Sequence, residues 1–375
     1  MQRFSAFLGL LVATLTTPAW AGIDLAALRA YAFVAGRDTP EVAVLDMRDA
    51  SIAARLHLKQ PAYQMAVAES RRELLVGSLA DHRVTVIGLE SLEEKRSVVL
   101  DHEPEHMQLG PGGDVLAVGN FYADGLTLID LDDMSTRRVE GLSQPHNVLF
   151  SPDGAKLYVA NLGDDRISVV DVASGRLLPA LDVPRSQYDA PGITSLMLSR
   201  DGRRAWAIPS AGADLAVLDV ATGRSLRSDH AGPQPWRVAM TSDERLMLTA
   251  NTGDQTLSLL STADGSEIAR LDGTDGMEAI LPVWFDTTGF VVSKTTKELL
   301  AVDLEAPAML PPLPLPGTPE DAIAMPGGEA VVVALSEPGA IAIVDARERR
   351  VVKLLADVLP DPFRIATVGS RNVCN

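Results

Sequence analysis

Six short segments open on proline and carry the side chains best equipped for chemistry: Pro61-Ala62-Tyr63-Gln64, Pro104-Glu105-His106, Pro145-His146-Asn147, Pro235-Trp236-Arg237, Pro319-Glu320-Asp321 and Pro362-Phe363-Arg364. Two further segments lack the proline. Aligned on the apolar residue that follows, one position reads Gln64, His106, Asn147, Ser195, Arg237, Pro282, Asp321 and Arg364, and the position before it supplies Tyr63, His146, Trp236 and Phe363. Imidazole nitrogen ligates metals, a guanidinium fork pairs with a carboxylate through two parallel hydrogen bonds, and aromatic faces lie against flat molecules. If the eight segments meet around one axis, they form a polar ring with aromatic walls, suited to a planar, carboxylated ligand. A water-filled channel also needs a polar lining, so the ring alone names no ligand.

His106 and His146 are the candidate metal or axial ligands, because they fall in that ring. His102 and His106 form a His-x-x-x-His pair, but in a loop the helical i,i+4 geometry is not available. His57, His82 and His230 fall in turns or outer strands and are expected to be solvated. Glu278 and Asp321 could serve as acid or base, or as partners for Arg237 and Arg364. No Gly-x-Ser-x-Gly nucleophile motif and no phosphate-cradling glycine loop occurs. The one cysteine, Cys374, is penultimate; it allows no intrachain disulfide and no Cys-x-x-Cys-His attachment of a c-type haem. No constellation demands catalysis.

The elements that must position these residues are visible as a repeat. A short apolar strand recurs eight times, as Ala32-Phe33-Val34-Ala35-Gly36, Leu74-Leu75-Val76-Gly77-Ser78, Leu116-Ala117-Val118-Gly119-Asn120, Leu157-Tyr158-Val159-Ala160-Asn161, Ala205-Trp206-Ala207-Ile208-Pro209, Met247-Leu248-Thr249-Ala250-Asn251, Phe290-Val291-Val292-Ser293-Lys294 and Val331-Val332-Val333-Ala334-Leu335. After each come a polar turn and a second strand that closes on Asp46, Asp130, Asp171, Asp219, Asp303 or Asp345, with Gly88 and Ser261 in the two remaining copies. The spacing is roughly 42 residues, room for four short strands and their turns, which is one blade of a propeller. Turn signals such as Ser151-Pro152-Asp153-Gly154 and Ala173-Ser174-Gly175 separate the strands, and helical periodicity is nearly absent. A β-sandwich does not account for eight copies at a constant period. The expected fold is all-β, an eight-bladed propeller of four-stranded blades around a central channel, in one domain spanning 22–375.

The chain carries 50 acidic against 33 basic residues, a formal net charge of −17. That balance argues against nucleic acid or an anionic membrane as partner. The first residues form a secretory signal: Gln2 and Arg3, an apolar run from Phe4 to Leu15, and Ala19-Trp20-Ala21 before Gly22. Residues 1–21 are therefore expected to be removed after Ala21 and the protein to be periplasmic, with no retained membrane span.

Leu157-Tyr158-Val159-Ala160-Asn161 through Val170-Asp171, with the preceding Ser151-Pro152-Asp153-Gly154, resembles the YVTN-type propeller repeat, over nearly all of the mature length. Together with eight blades, export and a rim of histidine and arginine, the chain resembles the cytochrome d1-type propeller of haem d1 nitrite reductases and NirF-like d1-haem assembly proteins. That resemblance implies a periplasmic propeller holding haem d1 or another tetrapyrrole non-covalently over the channel, for cofactor assembly or delivery. Carried onto this chain it implies His146 or His106 as axial ligand and Arg237 and Arg364 on the carboxylates, with Gln64, Tyr63, Asn147 and Trp236 around them. The chain lacks the c-haem domain of the reductases. Two other readings stay open: a non-catalytic scaffold for a periplasmic redox protein, similar to the large subunits of amine dehydrogenases, and a propeller hydrolase such as a lactonase, for which Glu278, Asp321 and His106 are the available parts.

Overall fold

The computed structural model of the chain describes residues 23–120, 122–184 and 191–370. The expected export segment and Cys374 lie outside the described residues. Strands within each repeat pair antiparallel in sequence order, giving eight four-stranded sheets. Blade 4 shows the plan: Pro145–Phe150 innermost, then Lys156–Asn161, Arg166–Asp171 and, outermost, Arg176–Asp182. The other innermost strands are Gln64–Ala68 (blade 2), His106–Leu109 (blade 3), Ile193–Leu198 (blade 5), Pro235–Met240 (blade 6), Met277–Val283 (blade 7) and Pro319–Ala324 (blade 8). Blade 1 is assembled from both ends of the chain. Tyr31–Gly36, Glu41–Asp46 and Ser51–His57 come from the N-terminal side, and the C-terminal strand Pro362–Ala366 pairs with Tyr31–Gly36 to become its innermost strand.

The second and third strands of a blade are flanked by blades on both faces, so their side chains are buried whichever way they point. They therefore read as unbroken apolar runs rather than alternating ones; Tyr31–Gly36 is buried at every position. The core is accordingly divided into eight wedges, each between two neighbouring blades, such as Phe33, Val44, Met65 and Leu74 between blades 1 and 2, or Tyr158, Ile167, Leu196 and Leu218 between blades 4 and 5. Outer strands such as Arg176–Asp182 are mostly exposed.

The repeated aspartate has a local cause. Its carboxylate accepts a backbone N–H two or three residues on, closing the turn into the outermost strand: Arg48 on Asp46 at 3.0 Å, Ser174 on Asp171 at 2.8 Å, Thr222 on Asp219 at 2.8 Å and Glu348 on Asp345 at 2.7 Å. The asparagines that end several second strands are buried and work likewise. The amide of Asn161 donates to Arg166 O at 2.8 Å and Ser168 Oγ at 2.9 Å.

Candidate functional site

Each innermost strand leaves one edge facing the channel, with backbone groups that no fifth strand satisfies. At the mouth where these strands begin, the rim, a bulge recurs. Pairing skips one residue between Pro145 and Asn147, Ile193 and Ser195, Pro235 and Arg237, Met277 and Ala279, Pro319 and Asp321, and Pro362 and Arg364. The skipped residues are His146, Thr194, Trp236, Glu278, Glu320 and Phe363. A bulge re-aims its side chain away from the pleat, so the two adjacent ring positions of the sequence are the bulged residue and the first regularly paired residue after it.

That register places Gln64, His106, Asn147, Ser195, Arg237, Asp321 and Arg364 at equivalent positions, opposite Gly77, Gly119, Ala160, Ile208, Ala250, Ala334 and Ala35. The blade 7 member differs from the sequence alignment: Ala279 lies opposite Val292 there, while Pro282 sits three residues further down its strand opposite Gly289. Blade 7 has no proline at its entry to anchor the alignment, and Pro282 is an unrelated one.

Several ring residues reach the backbone of the next innermost strand. His146 Nδ1 lies 2.6 Å from Thr194 O, Asn147 Oδ1 accepts from Leu196 N at 3.1 Å, Arg237 Nε donates to Glu278 O at 2.7 Å and Asp321 Oδ2 accepts from Ile365 N at 2.8 Å. The polar ring thus satisfies the free strand edges and stitches blade to blade. Arg237 is also 3.6 Å from the Glu278 carboxylate, the partnership its sequence suggested.

The same contacts leave chemistry in the mouth. Because Thr194 O can only accept, the proton of His146 sits on Nδ1, and Nε2 carries a lone pair, the arrangement in which a neutral imidazole ligates metal. His106 stands beside it on blade 3, ring centroids 5.1 Å apart and planes at 75°. Burial, with His146 and Arg364 close by, pushes the His106 imidazolium down to about 3; burial and then Arg237 lower His146 as well, against the Thr194 carbonyl. Both rings are therefore neutral at ordinary pH.

Arg364 is 7% exposed, and its Nε has no hydrogen-bond partner. Among the described residues no carboxylate lies within ion-pair distance of it. Its guanidinium carbon is 4.1 Å from the Phe363 ring centre and 5.5 Å from that of Tyr63, and Arg37 covers the Phe363 ring at 4.0 Å. Two guanidinium groups thus flank one phenyl ring at the junction of blades 8, 1 and 2. Trp236, exposed on blade 6, has Arg237 4.7 Å from its ring centre. Gln64 is buried between Arg364 and His106 in the ring order. Arg37 and the Thr194 carbonyl were not picked out from the sequence. Arg37 follows Gly36 directly, in the turn that faces the rim, and its position after a repeat strand was the available signal.

The remaining histidines divide as their surroundings dictate. His102 is buried with Nε2 3.0 Å from Thr127 Oγ1 and Nδ1 3.1 Å from Glu103 O, a structural role that ends the His-x-x-x-His reading. His57 and His230 are exposed, 3.0 Å from Glu41 and 2.7 Å from Asp214. Among the described residues no group of three or more His, Cys, Asp or Glu could hold a metal ion, and no helix is long and apolar enough to cross a membrane. At the other mouth of the channel opens a cavity of about 740 Å³, lined by the far ends of the innermost strands in blades 2 to 6 and by Val368 to Ser370.

Known structures share this architecture. Dihydro-heme d1 dehydrogenase NirN, solved with DHE, superposes with a TM-score of 0.76 at 17% identity over 96% of this chain and 78% of its own. Hydrazine synthase of Kuenenia stuttgartiensis gives 0.59 at 16% identity over 76% and 95%, and a functionally unknown protein of Desulfotomaculum acetoxidans gives 0.57 at 14% identity over 78% and 98%. At such identities the likeness is one of fold. No curated protein sequence matches the chain. The family profile that does match runs over residues 41–368, from the third strand of blade 1 inward to the residues just past ring closure, and by it the chain belongs to the YNCE-like β-propeller family.

Proposed function

We propose that the rim holds a carboxylated, iron-bearing tetrapyrrole non-covalently, as a carrier in cofactor assembly or delivery. The observation that carries this reading is the conjunction of a neutral His146 oriented at the rim by the Thr194 carbonyl and a buried Arg364 with no carboxylate within ion-pair distance among the described residues. A buried guanidinium without a counter-charge is costly. A ligand carboxylate would satisfy it through bidentate pairing. His146 would take the iron and His106, on the adjacent blade, would border the same face. Such an iron centre would supply ligand-exchange and redox chemistry; the chain's own residues hold, orient and shield it. NirN, a propeller of the same fold, is a dihydro-heme d1 dehydrogenase by name. Export to the periplasm belongs to this proposal.

The test is spectroscopic. Haem titrated into the purified protein is expected to give a shifted Soret band that His146→Ala abolishes. Arg364→Leu should keep the band but weaken binding roughly tenfold to a hundredfold, the equivalent of about 1.5–3 kcal/mol for a charged hydrogen-bonded contact. An unshifted Soret band with wild-type protein sinks the reading.

A further inference from the structure

The turns from innermost to second strand all lie on the face opposite the rim, and five share one conformation. In each four-residue turn the third residue alone has positive φ: Gly113 at 79°, Gly154 at 73°, Gly202 at 68°, Glu244 at 59° and Gly328 at 75°. Blade 7 breaks the pattern. Its turn is Trp284-Phe285-Asp286-Thr287, and Trp284, Phe285 and Asp286 have φ of 50°, 55° and 60°. Left-handed backbone is sterically unfavourable for residues with a bulky Cβ substituent, and here two consecutive aromatic residues adopt it where the other blades carry residues of negative φ.

Neighbouring blades hold the turn in place. Asp286 Oδ2 accepts from Ser242 Oγ and, at 3.1 Å, from Asp243 N on blade 6, while Trp284 N donates to Gly328 O on blade 8 at 2.9 Å. Arg347 lies 5.5 Å from the Trp284 ring centre, and the Trp284 ring meets Phe285 at 5.3 Å and 67°. The outcome of this bracing is a phenyl ring 75% exposed at the tip. A strained, externally braced conformation that displays an aromatic residue to solvent is a reason to look for what covers it.

Charge on the same face points to the occupant. The turns of blade 7 on this face carry Asp286, Asp303 and Glu305 and no basic residue. Those of blade 5 carry Arg200, Arg203, Arg204 and Arg224 against Asp201 and Asp219. Blade 6 lies between them. A two-fold axis lying in this face along blade 6 sets blade 7 of one copy over blade 5 of another, and the reverse, so both acidic sectors meet arginine sectors in one symmetric contact. Phe285 then comes over blade 5, where Met197, Leu198 and Arg200 line the edge of the 740 Å³ cavity, an apolar seat with a guanidinium to lie on the ring. Repulsion between two chains of net charge −17 is largely screened beyond about 8 Å at physiological salt, whereas opposite charges brought closer than that across the contact still attract.

We propose that a second copy of this chain covers this face, as a two-fold dimer anchored by Phe285. The rim stays open in it, so the dimer is independent of what the rim binds. Sedimentation velocity of the purified protein at micromolar concentrations should show a dimer. Phe285→Asn is the informative variant, because asparagine tolerates positive φ. It should keep the wild-type circular dichroism spectrum and dissociate at least roughly 30-fold more readily, the loss of an aromatic anchor. Phe285→Ser should behave the same way. Arg203→Glu should weaken the dimer, and adding Glu305→Arg to that variant should restore it. A monomeric wild type overturns the proposal, whatever other protein binds the face, and so does a Phe285→Asn variant that stays dimeric.

Discussion

His106 and His146 show how a residue's environment decides what its type can do. Either could have been read as the ligand from sequence, because both follow a proline at the rim. The bulge that turns His146 toward the mouth also brings its Nδ1 onto the Thr194 carbonyl, and that single bond selects the tautomer. The same burial has a pH signature. His106 in the folded protein titrates at about 3 against an ordinary 6.5, and His146 and His102 shift in the same direction. Between pH 6.5 and about 3 the unfolded chain therefore takes up protons that the folded chain refuses, so stability falls as pH drops through that window and is unaffected by these groups above it. Thermal melting from pH 8 downward should show a flat midpoint, then a decline below about pH 6.5 that is shallower in His106→Gln. Which ring residues would gather at the rim was legible from the proline-led segments. What they touch was not, since Thr194 O, Leu196 N and Ile365 N are backbone groups that any sequence would supply.

At the scale of the element, the strands were legible because two-sided burial writes them as apolar runs, and the capping aspartates punctuate them. Even the copies ending in Gly88 and Ser261 form their strands, Arg83–Gly88 and Thr256–Ser261; the carboxylate tightens a turn that the neighbouring blades would fix anyway. Closure was less legible. Pro362-Phe363-Arg364 belongs to the innermost-strand set, but nothing in its residues says that its partner is Tyr31–Gly36, more than three hundred residues earlier. One side chain does much to set that junction. The Asp361 carboxylate accepts from Asp38 N at 2.6 Å, Thr39 N at 3.1 Å and Thr39 Oγ1 at 2.7 Å, tying the entry of the closing strand to the N-terminal blade. Asp361→Ala should lower stability by about 2 kcal/mol and the melting midpoint by about 4 °C, as read by calorimetry, with Asp361→Asn intermediate because one acceptor remains. An unchanged midpoint would mean that the neighbouring strand pairing alone fixes the junction.

On the scale of the molecule, a ring differs from a linear array of repeats in that no blade is terminal. Every apolar wedge is shared by two blades, including the one between blades 8 and 1, where Val34 and Leu45 meet Val332 and Ile341. An open array needs polar capping repeats; among the described residues there is none, and Pro362–Ala366 closes the circle instead. Both described ends also come together on the face away from the rim, where Val67 bridges Val368 and Arg29 and Ser370 line one cavity. A chain ending at Asp361 would keep all seven complete blades, yet it would bare the edge of Tyr31–Gly36 and remove Phe363, Ile365 and Ala366 from the walls beside it. Exposed strand edge and apolar wall together favour association over folding. That truncated chain is expected to lose the single cooperative melting transition, bind a hydrophobic dye and aggregate, whereas Asp361→Ala keeps the transition. A synthetic peptide spanning Pro362 to Ser370 should restore the transition by adding the missing strand in trans. If the truncated chain melts as the intact one does, closure is decorative and the blades are held by their wedges alone.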